Sequence, residues 1–111
     1  MAQSVLLEKT GGGFQLKRAT VTLTHTENDL AGTSTEVLAA NDDRKYALFI
    51  NDSDVVLYLM VESDAEDNKG IRLDANGGSF EMVQGKNLDT RKVNALATDG
   101  TSKTLLVTEG S

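Results

Sequence analysis

The stretch Arg44–Glu62, RKYALFINDSDVVLYLMVE, decides the fold. Tyr46, Leu48 and Ile50 alternate with Ala47 and Phe49. Val55, Leu57, Leu59 and Val61 alternate with Val56, Tyr58 and Met60. Each run therefore has the two-residue period of a strand, and its β-branched and aromatic residues favour strand over helix. Between them, Asn51-Asp52-Ser53-Asp54 carries side chains that bond their own backbone, so the pattern predicts a β-hairpin. Both faces of the second run are apolar and are expected to be shielded from water.

Toward the C-terminus, Ser63–Gly70 (SDAEDNKG) reads as an acidic loop and Ile71–Leu73 as a brief strand. Asp74-Ala75-Asn76-Gly77-Gly78 is a turn, because Asn and Gly tolerate positive φ. Further strands are expected at Ser79–Val83, Lys92–Ala97 and Lys103–Glu109, with Gln84–Thr90 as a loop and Thr98–Ser102 as a turn. Toward the N-terminus, Asn41-Asp42-Asp43 turns the chain and Thr35–Ala39 is a short strand. Residues 27–33 are expected to loop. In residues 19–26, ATVTLTHT, the face of Ala19, Val21, Leu23 and His25 is expected to be half-buried and the threonine face solvated. Eight short strands with turns roughly every 8–12 residues predict an all-β domain over residues 19–111, a sandwich or flattened barrel.

Residues 1–18, MAQSVLLEKTGGGFQLKR, read differently. Gly11-Gly12-Gly13 separates Val5-Leu6-Leu7 from Phe14 and Leu16, and three glycines cost backbone entropy while packing nothing. The segment is expected to be a flexible N-terminal arm whose apolar residues, Val5, Leu6, Leu7, Phe14 and Leu16, bind a partner chain. It is also mildly basic. Lys9, Lys17 and Arg18 against Glu8 give +2, which leaves −8 of the total −6 for residues 19–111.

A chain of 111 residues supports one hydrophobic core. The acidic balance of −6 excludes phosphate-driven nucleic-acid binding. With no Cys and a single His, disulfides, thiolate metal sites and Cys nucleophiles are excluded. No apolar run approaches the roughly 20 residues that a membrane helix needs. No signal-peptide pattern follows Met1, so a cytosolic place of synthesis is expected.

The acidic loop invites a calcium reading, with Asp64, Glu66 and Asn68 at alternate positions, but Lys69 and Ala75 stand where an EF-hand needs Gly and Glu. No metal or other cofactor is expected. His25 shares a face with Val21 and Leu23 and reads as structural; no nucleophile lies at a fixed spacing from it. The chain lacks phosphate-loop, GxSxG, HExxH and paired-carboxylate signatures, so the reading is of a protein that is not an enzyme.

One arrangement is more particular. Arg44, Asn51 and Ser53, Tyr58, Gly70-Ile71-Arg72-Leu73, Gly77-Gly78-Ser79-Phe80-Glu81 and Val107-Thr108-Glu109-Gly110 follow one another in order. This pattern resembles a family of small β-rich virion proteins and appended domains of tailed bacteriophages. It covers about two-thirds of the chain, and it departs from that family in having no proline before Gly77 and no glycine-rich stretch after Tyr58. The resemblance implies a structural virion protein that catalyses nothing. A capsid decoration or cement protein is expected first, assembled in the host cytoplasm and bound to the major capsid protein or other virion proteins as a homo-oligomer. The alternative is a receptor- or glycan-binding module of a head or tail fibre.

Overall fold

Strands form where the two-residue alternation is strongest, and the structure, a computed structural model, describes residues 3–10 and 13–111, with side chains from residue 20 onward. Those of the body are β1 (Leu23–Leu30), β2 (Thr35–Leu38), β3 (Tyr46–Asn51), β4 (Leu57–Val61), β5 (Ile71–Leu73), β6 (Ser79–Val83), β7 (Val93–Ala97) and β8 (Lys103–Gly110). Among the described residues there is no helix. The segment expected as an arm is an antiparallel hairpin, Gln3–Thr10 paired with Gly13–Thr20 in a two-stranded sheet of its own, and the side chains of Val5, Leu6, Leu7, Phe14 and Leu16 lie outside the described residues.

The eight strands make two four-stranded antiparallel sheets. Sheet one has the order β1-β8-β3-β6 and sheet two the order β2-β7-β4-β5. This is the strand order of a double-sheet jelly roll. The all-β sandwich expected from the alternation is thus the architecture found.

The expected hairpin at Asn51–Asp54 is not. Strands β3 and β4 lie in different sheets, so the turn carries the chain across the core instead of back along its neighbour. The reason lies in Asn51, whose side chain is fully buried. Its amide donates to the carbonyls of Val55 (2.7 Å) and Leu73 (3.0 Å), and its oxygen accepts from the Ser53 hydroxyl at 2.6 Å. These bonds tie the end of a sheet-one strand to sheet two. The turns at Asp74–Gly78 and Thr98–Ser102 also cross between the sheets. Within the two four-stranded sheets only β4 and β5 are consecutive and paired.

The core fills the space between the sheets. Ala47, Phe49, Met82, Leu105 and Val107 come from sheet one, and Leu57, Leu59, Leu73, Val93, Ala95 and Ala97 from sheet two. Phe49 stacks on Phe80 with ring centroids 6.4 Å apart. Burial of these side chains is the main stabilising term, at about 1.5–3 kcal/mol for each large aliphatic or aromatic one.

One end of the sandwich is closed by Arg44. Its side chain is fully buried, and its Nε donates to Glu109 Oε2 at 2.7 Å. Nη1 donates to the carbonyls of Asp89 (2.6 Å) and Arg91 (2.9 Å), and Nη2 to that of Ala39 (2.5 Å). One guanidinium thus joins the β2–β3 loop, the β6–β7 loop and the end of β8.

Candidate interaction surface

The two sheets treat their outer faces differently. On sheet two, Tyr58, Asn94 and Leu96 point away from the core yet are nearly as inaccessible as core residues, at 6%, 4% and 6% exposure. The loop of residues 62–70 covers them. It leaves β4 through a sharp corner at Glu62, where φ is +70° and the Ser63 N–H donates back to the Val61 carbonyl. It then crosses β7, where the Asn94 amide donates to the Ser63 carbonyl at 2.8 Å. The buried Ala65 donates its N–H to Ser34 Oγ, ahead of β2. On the way back Asn68 accepts from the Tyr58 hydroxyl at 3.0 Å. Gly70, at φ +81°, ends the excursion where a Cβ would lie 2.3 Å from the Leu59 carbonyl oxygen. The segment expected as a solvated acidic loop is therefore the cover of sheet two. Its charged side chains face outward, with Glu66 paired to Lys69 at 3.2 Å.

Sheet one has no such cover among the described residues. The register aligns Glu27, Leu106 and Ile50 across β1, β8 and β3, and next to them His25, Thr108 and Leu48. All six point away from the core. Leu48, Ile50 and Leu106 are half-buried, while His25 and Glu27 are exposed. A groove of about 300 Å³ runs between His25, Glu27, Ile50, Leu106 and Thr108.

The expectation of a half-buried His25 on the core side of its strand is corrected here. Strand β1 begins at Leu23 and runs through residues expected to loop, with only Leu30 fully buried. Thr26 stands opposite the core residue Val107, so the threonine face is the one directed to the core side and the face of Leu23 and His25 is the outer one. Leu23 and Val21 find their apolar partners on that outer face, packing over Gly110 beside Tyr46. His25 Nδ1 and Thr108 Oγ1 share a hydrogen bond of 2.8 Å.

Farther along the same face, Tyr46 donates to Glu81 Oε2 at 2.6 Å. That bond, followed by burial and the nearby negative charge, pushes the Tyr46 hydroxyl up to about 12. At the Arg44 end, Asp89 is held down at about 2, first by the Arg91 side chain and then by the Arg91 N–H.

The residues that carry the phage resemblance now have structural tasks. Arg44 and Glu109 are the closing ion pair, Asn51 and Ser53 the crossing, and Tyr58 and Gly70 belong to the cover of sheet two. Glu81 receives the Tyr46 hydroxyl. The pattern is one of fold-forming residues. The half-buried Leu48, Ile50 and Leu106 were legible only as strand residues, because alternation gives two faces and does not say which one meets the opposite sheet. Comparison with protein-family models, curated proteins and solved structures finds no match to the chain.

Proposed function

We propose that the chain is a structural virion protein of a tailed phage that decorates and cements the capsid shell. It acts by contact, burying the outer face of sheet one and the apolar residues of its N-terminal arm against the major capsid protein. The observation that carries this reading is the contrast between the outer faces. Sheet two is closed by the chain's own loop, whereas sheet one presents Leu48, Ile50 and Leu106 beside a groove. An apolar patch rimmed by polar residues is the mark of a protein-binding surface. The resemblance of the Arg44–Gly110 pattern to small virion proteins points the same way.

Jelly rolls serve in viral capsids and also in lectins, so topology alone does not choose between a shell contact and a glycan site. The side chains favour the shell. Tyr46, Phe49 and Tyr58 are buried, and Phe80 packs against the core, so no described aromatic lies open for stacking on a sugar.

The test is fractionation of dissociated virions together with binding of the purified protein to empty shells. Co-purification with the capsid fraction, and loss of shell binding in Ile50→Glu and Leu106→Glu with the melting temperature retained, is the expected result. Fractionation with fibres, or glycan binding with no affinity for shells, would favour the fibre module.

A further inference from the structure

We infer that the free edge of β1 is where a second copy of this chain pairs, strand to strand about a two-fold axis, joining two copies of sheet one into one continuous sheet. The four edges of the sandwich are not alike. Strand β2 has four residues and a bulge between Glu36 and Leu38, and β5 has only three residues. Strand β6 is capped by its own loop, where the Asn87 side chain accepts from the Val83 N–H at 2.8 Å and donates to the Glu81 carbonyl at 2.9 Å. Short strands, bulges and loop covers are how sheets keep their edges from pairing. Strand β1 has none of these. It runs eight residues in unbroken register with β8, and Thr24, His25, Thr26 and Glu27 are exposed.

The backbone of that edge is set for a partner. Thr22 and Ser111 exchange hydrogen bonds of 2.9 and 3.0 Å, extending the β1–β8 ladder by one close pair. Direction alternates along an antiparallel strand, so Leu23, His25, Glu27 and Asp29 turn their N–H and C=O groups away from β8. Strand β1 has a single neighbour in its sheet, and the N-terminal hairpin is a sheet by itself. These outward groups therefore have no strand to bond.

Charge complementarity selects the occupant and its register. A two-fold axis normal to the sheet keeps outer face beside outer face, so odd-numbered residues of β1 must face odd-numbered ones. With the axis at Thr26, His25 of each copy faces Glu27 of the other, Thr26 faces Thr26, and Thr24 faces Asn28. His25 Nδ1 is already bonded to Thr108 Oγ1 at 2.8 Å, which leaves Nε2 for that carboxylate. The neighbouring registers set His25 on His25, Glu27 on Glu27, or Glu27 on Asp29, and like groups directly opposite one another oppose pairing. In the joined sheet both grooves open on the same side, so a dimer can meet one surface twice. The inference concerns the free chain, and it does not depend on that surface being a capsid.

The chain contains no cysteine, so introduced thiols report without interference. In the full chain, Thr26→Cys places its thiol on the axis, where facing Cα atoms stand about 4.5 Å apart and a disulfide can close. Under mild oxidation it should give a covalent dimer many-fold faster than Thr24→Cys, which is also exposed but displaced from its own copy by four residues. Equal rates, or a faster Thr24→Cys, would overturn the inference. Sedimentation of the unaltered chain should show a reversible dimer that is lost in Glu27→Pro, since proline there removes only an outward N–H. A chain that stays monomeric at its highest soluble concentration, or a dimer that survives Glu27→Pro, would also overturn it. His25→Glu and Glu27→Lys guard against a variant that misfolds: each alone should weaken the dimer, and the two combined should restore it. Failure of the combination to restore it would count against this register. A dimer lost on deleting residues 1–18, with β1 intact, would assign the contact to the N-terminal hairpin instead. Because these measurements use the free protein, their failure leaves shell binding untouched, and the failure of shell binding leaves them untouched.

Discussion

Removing Arg44 would strip partners from two loops and the last strand at once. Its guanidinium donates to three backbone carbonyls and to Glu109, and no buried side-chain nitrogen or oxygen among the described residues lacks a partner. A buried ion pair is weak evidence of net stability, since both charges leave water, but removing one member leaves the other groups unsatisfied. Arg44→Ala is expected to cost about 3–5 kcal/mol in urea melts. Arg44→Lys should recover little of it, because one ammonium cannot reproduce the planar fork. A loss under about 1 kcal/mol would reduce this residue to an ordinary surface pair. Tyr46 gives a second test at this scale. Its pKa is raised by folding, so its contribution is fully present below pH 10 and is lost as pH climbs toward about 12. The stability gap between the native protein and Tyr46→Phe should therefore narrow across that interval. A gap independent of pH there would mean that the bond to Glu81 does not hold the phenol neutral.

At the scale of elements, the loop over sheet two turns on a strained corner. Glu62 holds φ at +70°, a region that costs a residue with a Cβ about 1–2 kcal/mol. Its N–H is kept in a bond to the Lys92 carbonyl at 2.8 Å, which any residue but proline can make. Glu62→Gly should relieve the strain, and the greater freedom of glycine in the unfolded chain offsets roughly 0.5–1 kcal/mol of the gain. The net expectation is a rise in stability of up to about 1 kcal/mol, seen as a higher urea midpoint with an unchanged slope. A lower midpoint would show that the Glu62 side chain contributes something its exposure does not suggest. Strand positions were largely legible in the sequence, because alternation and turn residues are local. Ile71–Leu73 and Ser79–Val83 are found at the expected boundaries. Pairing was not legible. Asn51-Asp52-Ser53-Asp54 has the chemistry of a reversal, and the same residues serve a hairpin or a crossing. What decides is whether the Asn51 amide finds partners in the other sheet, and Leu73, one of them, is 22 residues away. The candidate surface was hidden for a related reason. Leu48 and Ile50 resemble core residues in a linear pattern, and only the register across β8 sets them on the outer face.

For the whole molecule, the arm and the uncovered face are two halves of one question. Both sheets and the core are complete in residues 23–110, so the body does not need the arm to fold. Burying Val5, Leu6, Leu7 and Phe14 against a partner supplies roughly 6–10 kcal/mol. Fixing the backbone costs about 1–2 kcal/mol per residue, which offsets most of that. One arm therefore binds weakly, and firm attachment requires the face of sheet one as well, or several linked copies binding together. Deleting residues 1–13 should leave the melting temperature nearly unchanged and weaken attachment to shells. If that deletion is insoluble or melts far below the full chain, then the hairpin of Gln3–Thr10 and Gly13–Thr20 is part of what holds the domain together. The arm would then be a structural strand with no part in attachment.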